Sequence, residues 1–402
     1  MDRLRITAGQ LQVGASVPFD IYNSEGRLLL RRGQVVDSEL QLERLVQAGR
    51  YNPPAAEEGS PLRGRGQTPR VVQEFDRLPS QLVVRNRVSI FERLTDVVHA
   101  LDDLFSLGLA TDRFEAGIRA AVANIRECCA LDSDAALAHI LLSGSLRYAL
   151  RHPTNAAILT TILLGRDQHD PDKSGSAIAA ALTMNISILA LQDTLYRQQD
   201  PVTAEQRDAL KFHPAESVKM LRSLGVDDPL WLQVVEQHHE ARDGSGYPAG
   251  LKDPAICREA QFVSLADRYC VLVSQRAYRI AFSPRRAIKE LHERNAATID
   301  PALVVGLISA VGFFPPGAYV RLINGETGVV VRRLIDPKHP VVYALHQDTT
   351  PPYESPKKRL TGSRPDFEIV ADVKAENVRV KIDLAALWPP SAAGDAPADP
   401  SA

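Results

Sequence analysis

Apolar residues recur with a helical period over most of the chain. In "RVSIFERLTDVVHALDDLFSL" they fall at 88, 90, 91, 94, 97, 98, 101, 104 and 105, one face of a helix. Similar stretches continue to "AIKELHERN" and "PALVVGLISAVG". This pattern predicts a mainly α fold with a helical domain over 84–312. The period changes on both sides of it. Near the start, two β-rich runs in "VPFDIYNSEGRLLLRRGQVV" flank Asn23-Ser24-Glu25-Gly26, a hairpin signal. "SELQLERLVQAGRY" follows, with Ser38 as N-cap and Gly49 as stop, so 1–51 reads as a small α+β module with no catalytic look. Beyond the helices, "AYVRLINGETGVVVRRLI" reads as two strands around Asn324–Gly328, and "PVVYALHQ" and "NVRVKIDL" add two more. This is a small β module over 313–387. The Pro-, Gly- and charge-rich 52–83 reads as a linker, and 388–402 as a disordered tail.

Composition changes this picture little. The 402 residues are 45% hydrophobic and 24% charged, an ordinary globular balance. A net charge of −2 gives no global attraction to a nucleic acid polymer or an anionic membrane, so any phosphate binding has to be local. None of the four cysteines falls in a C-x-x-C pair, and Cys128-Cys129 reads as small apolar packing. The N-terminus lacks a signal-peptide core, and no apolar run approaches the ~18 residues that span a bilayer. The expectation is a cytoplasmic protein without a membrane segment.

Candidate chemistry concentrates in the helical domain, which holds His152, His213, His238 and His239, with Asp267 in "SLADRY". Successive helical residues point about 100° apart, so His238 and His239 can address two points of one centre. Pro214 after His213 predicts an extended His213 and a helix that starts at Pro214 and stops near Gly225. The next helix begins near Pro229 and brings "WLQVVEQHH" to its end. Imidazole and carboxylate together suit Fe, Mn or Zn. The plainer reading is core histidines held by hydrogen bonds, including to Glu240 or Asp243. "DGSGYPAGL" follows directly: Gly244 and Gly246 permit close backbone approach, Tyr247 supplies a flat ring, and Pro248 stiffens it.

Taken whole, "HHEARDGSGYPAGL" resembles the signature of the HD-GYP family, a branch of the HD-domain metallophosphohydrolases. The resemblance covers roughly 145–310, with His213-Pro214, "LADRY" around Asp267 and "SQRAYR" at Ser274–Arg279 in the family's order. It implies an all-helical domain, a di- or tri-metal centre and hydrolysis of cyclic di-GMP by metal-assisted attack on a phosphodiester. The implied metal ligands are His152, His213, His238, His239 and Asp267. The implied ligand- or partner-binding loop is Asp243, Gly244, Gly246, Tyr247 and Pro248, with Arg276 and Arg279.

The resemblance breaks at the dyad that names the family. Where members read "HDiGK", this chain has Met184, Asn185, Ile186, Ser187 and Ile188, and Tyr148 stands where some members carry a glutamate ligand. An amide cannot bridge two dications with a carboxylate's charge, and a thioether suits these ions poorly. The expectation is a degenerate member of cyclic di-GMP signalling that binds or scaffolds with little or no turnover, holding one divalent metal (Fe, Mn or Zn) or none. Implied partners are cyclic di-GMP and GGDEF-domain diguanylate cyclases. The alternatives are an active phosphodiesterase with a reduced metal site, and a structural or interaction protein.

Overall fold

The computed structural model describes scattered positions within 1–51 and then 89–390, apart from 107–112, 278, 295–296, 349–350 and 379. The chain divides into two compact units, Met1–Gln81 and Leu82–Ala402. In the first, strands β1 (Leu4–Arg5), β2 (Ile21–Tyr22), β3 (Leu28–Leu30) and β4 (Arg50–Tyr51) form an antiparallel sheet in the order β1-β4-β2-β3. Its buried cluster includes Val17, Ile21, Val36 and Leu45. The turn expected at Asn23–Gly26, the caps Ser38 and Gly49, and the linker lie outside the described residues.

The second unit is mainly helical. Its elements are α1 (Ile90–Ser106), α2 (Phe114–Leu131), α3 (Ser133–Leu142), α4 (Tyr148–Arg166), α5 (Pro171–Thr183), α6 (Leu189–Arg197), α7 (Ala204–Ser223), α8 (Pro229–Gln237), α9 (Arg258–Val273), α10 (Pro284–Arg294) and α11 (Pro301–Val311). Asp-Pro steps start three of them. The carboxylates of Asp170, Asp228 and Asp300 accept from free amides of the first turn, and the proline after each fills a position that needs no donor. Helix α4 is buried along nearly its whole length, with α5 and α9 packed on it, and is the spine of the domain. Among the described residues, one stretch is long and apolar enough to cross a membrane, Pro171–Arg197. It is broken by the 3-10 turn Ile186–Ile188, and 72% of its apolar window is buried in the domain.

One helix start differs from expectation. Helix α7 runs through His213 and Pro214 instead of beginning at Pro214. Thr203 and Gln206 form a capping box well upstream, with Thr203 Oγ1 accepting from Gln206 N at 3.2 Å and Gln206 Oε1 accepting from Thr203 N at 3.0 Å. A helix so nucleated tolerates the proline, at the expense of one backbone bond.

The β module is an antiparallel sheet, β8-β7-β6-β5-β9, of β5 (Tyr319–Leu322), β6 (Glu326–Arg332), β7 (Val341–Gln347), β8 (Lys357–Leu360) and β9 (Ile369–Val373). Gly325, at φ +82°, makes the β5–β6 turn. The strand expected in "NVRVKIDL" is absent among the described residues. Its alternating Val378, Val380 and Ile382 pack by their side chains against the helical core, and β8 and β9 supply the pairing. Trp388, expected to open the disordered tail, is buried. Its ring packs on Phe91 at 5.4 Å and its Nε1 donates to Val331 O at 3.2 Å. Arg332 and Arg333 pair with Asp132 and Asp134 at the start of α3, so this sheet is keyed to the helices.

Glu326 is the buried polar centre of the module. Its carboxylate accepts from Arg359 at 2.7 and 2.6 Å, from Asn324 at 3.0 Å and from Tyr353 at 3.0 Å. The Arg359 guanidinium, chiefly, holds its acid down at about 2. A depressed folded-state pKa contributes stability above the unfolded value, lost as pH falls through the window from about 4.5 to about 2. Glu326→Gln should therefore cost roughly 1.5–3 kcal/mol at neutral pH. The gap to the parent should narrow toward pH 3, as read by urea melts at both pH values.

Candidate metal centre and glycine loop

Three histidines come together where α7 meets the end of α8. The ligand nitrogens of His213, His238 and His239 lie within 4.8 Å of one another. Their orientation follows from the backbone. Pro214 has no N–H to give to Leu210, four residues earlier, and the carbonyl so freed accepts from His213 Nδ1 at 2.7 Å. At the end of α8, where carbonyls run out of helical partners, Val235 O accepts from His238 Nδ1 at 2.7 Å. Both rings therefore carry their proton on Nδ1, and both Nε2 atoms are bare acceptors.

These two Nε2 atoms face each other at 3.1 Å. Two lone pairs at that distance make no hydrogen bond. A proton between them is disfavoured: burial, and then the neighbouring His238, push His213 down to about 3, and burial lowers His238 and His239 as well. A cation satisfies both. Two nitrogens bound at ~2.1 Å to one ion stand about 3.0–3.4 Å apart for angles between a right angle and the tetrahedral value, a range that includes the 3.1 Å found here. The donor set thus fits one imidazole-preferring divalent ion, with His213 and His238 each oriented from behind by a carbonyl.

His152 and Asp267 form a separate buried pair, with His152 Nε2 to Asp267 Oδ1 at 2.8 Å. The hydrogen bond and charge of His152, and then the other histidines, hold Asp267 well below the usual carboxylate range against the opposing effect of burial. Tyr148 stacks on His152, with centroids 5.4 Å apart and planes 13° apart, and on Tyr196 at 4.7 Å. Arg276 donates to Tyr148 Oη at 2.5 Å, and Arg279 donates to Val271 O at 2.6 Å, so both arginines are engaged within the domain. Met184 is fully buried in the main core cluster and Asn185 is nearly so. Ser187 joins α7, its Oγ donating to His213 O at 3.1 Å and lying 2.9 Å from Ser217 Oγ.

The glycine loop is held to the histidines by its own backbone. Glu240, buried directly after them, accepts from Ala249 N at 2.7 Å and Leu251 N at 2.8 Å. Tyr247 N donates to His239 O at 3.2 Å. Asp243 caps the turn, accepting from Ser245 N and Oγ, and Gly244 sits at φ +81°. His213 and His238 bond helix carbonyls, and the carboxylates of Glu240 and Asp243 accept from the loop instead. At Gly246 the close backbone approach is to its own chain: a Cβ there would lie 2.4–2.6 Å from Ala241 N, Glu240 Cα and His239 O. Tyr247, joined to Pro248 by a cis peptide bond, lies half-buried over His239, centroids 4.7 Å apart.

Residues 145–303 match the family model described as HD domain (HD_5). Cyclic di-GMP phosphodiesterase PA4108 of Pseudomonas aeruginosa is 29% identical over 226 residues, which are 55% of this chain and 54% of that protein. Cyclic di-GMP phosphodiesterase PdeB of Borreliella burgdorferi is 26% identical over 187 residues, 46% of this chain and 49% of that one. The chain thus spans about half the length of these curated relatives. Among solved structures, Bd1817, a HDG"Y"P protein from Bdellovibrio bacteriovorus, aligns at a TM-score of 0.48 with 16% identity, covering 76% of this chain and 98% of that one. Residues 145–303 are thus an HD domain, and the likeness to these phosphodiesterases supports membership of the HD-GYP family.

Because Gly246 faces backbone that cannot yield, Gly246→Ala should destabilise the domain by about 1–3 kcal/mol. A calorimetric melt checks this, and an unchanged melting temperature would show that the loop can open without cost.

Proposed function

We propose that the protein acts in cyclic di-GMP signalling as a degenerate HD-GYP member, binding the dinucleotide or a GGDEF-domain cyclase with little or no turnover. The observation that carries this reading is the burial of Met184 and Asn185 where the family places its His-Asp dyad. A bridging carboxylate has been replaced by a neutral amide, and the first ligand by a thioether sealed in the core. The names of the relatives support the ligand, each being called a cyclic di-GMP phosphodiesterase. His213, His238 and His239 would hold one divalent ion, Fe, Mn or Zn. When bound, it would supply positive charge to a phosphodiester oxygen. His152 and Asp267 are committed to each other and would not take a second ion without breaking their bond.

A second reading has one observation in its favour. The opposed Nε2 atoms of His213 and His238 are preorganised for a cation, so a hydrolase working with a single metal is the alternative.

The two separate in one assay. Purified protein loaded with Mn, Fe or Zn should retain no more than one metal per chain by mass spectrometry and yield little linear dinucleotide. Robust cleavage abolished by His239→Ala would overturn the binding role in favour of the second reading. Recognition is tested at the loop. Stacking of one base on an aromatic ring contributes roughly 1–3 kcal/mol, about one to two decades in affinity. Tyr247→Ala should weaken cyclic di-GMP or GGDEF binding by that factor with a nearly unchanged melting temperature. Undiminished binding to both, with a lowered melting temperature, would reduce Tyr247 to a packing residue.

A further inference from the structure

A cavity of about 420 Å³ opens between the helices and the β module, away from the three histidines. Its size falls in the ordinary range for small-molecule sites. Phe282 and Tyr319 give it apolar walls, and Ile280, 51% exposed, lies along it.

Arg151 lines this cavity and is 6% exposed. Its guanidinium stands 5.7 Å from the Tyr148 ring and 5.8 Å from the Tyr196 ring. Among the described residues its one hydrogen bond is a long one, Nη1 donating to Ser143 O at 3.4 Å, and no carboxylate lies within ion-pair distance. Buried arginines are ordinarily paired, because an uncompensated charge away from water is expensive. The acids lining the cavity do not compensate it. Asp372 accepts from Ser283 Oγ at 2.7 Å, and Glu376 lies 3.5 Å from Lys374. Arg151 therefore presents unused donors, beside two aromatic rings, to a partly enclosed space whose lining includes Phe282 and Tyr319.

We propose that this cavity is a second ligand site, for an organic anion whose single carboxylate or phosphate head pairs with Arg151 and whose apolar or aromatic body fills the space along Phe282 and Tyr319. The site does not depend on the reading of the metal centre. It does adjoin it, since Arg151 and His152 are consecutive on α4 and both contact the Tyr148 ring.

The test is calorimetric titration of the full chain with 2-naphthoate and 2-naphthyl phosphonate, with 2-naphthalenemethanol as the uncharged body and inorganic phosphate as the bare head. One or both aromatic anions should bind one per chain, and which of them does so identifies the head. The alcohol and phosphate alone should bind at least tenfold more weakly. Arg151→Gln should weaken the anion at least tenfold. Ala281→Trp, which adds bulk to the cavity lining, should abolish binding in a protein that melts like the parent. His239→Ala should leave it unchanged. Failure of both anions to bind the parent, undiminished binding to the two cavity variants, or loss on His239→Ala would each overturn the proposal.

Discussion

The site depends on two backbone carbonyls. Leu210 O and Val235 O each accept the Nδ1 proton of a histidine three residues later, and that choice of tautomer leaves bare nitrogens confronting one another. Neither carbonyl is free by accident. One is released by a proline inside a helix, the other by the end of a helix. The electrostatic character of the centre is thus set by chain geometry before any ligand arrives. A buried arrangement of facing acceptors is unfavourable alone and becomes favourable only with positive charge between them.

Around His152 the side chains are engaged with one another as in ordinary protein interior. Tyr148 stacks on His152 and takes a hydrogen bond from Arg276. Met184 fills core volume, and Ser187 ties the 3-10 turn to α7. Each of these residues is thus packed or bonded within the domain. His152 keeps Asp267 as its partner and with it a structural reason to remain.

Much of this was legible in the sequence. The helical period that appears from Ile90, the helix start at Pro229 and the Asn324-Gly325 turn each have a local physical cause, and each appears where that cause acts. The histidines could be grouped because "HHEARDGSGYPAGL" is long enough to be distinctive. What could not be read depended on distant partners. The capping box at Thr203 outweighed the helix-breaking tendency of Pro214. The alternation of Val378, Val380 and Ile382 reads alike for a paired strand and for a segment lying on helices. Glu240 gave a faint signal, an acid set directly after two buried-type histidines, but its bonds to Ala249 and Leu251 exist only once the loop has closed.

The seating of Gly246 against His239, Glu240 and Ala241 has a consequence for how such motifs are interpreted. The glycine and the histidine pair form one folding element, and neither can change freely while the other stays. The Gly-Tyr-Pro signature therefore reports first on the architecture of the histidine shelf. The ring of Tyr247, half-buried over His239, is the part of that triplet with a face to offer in recognition.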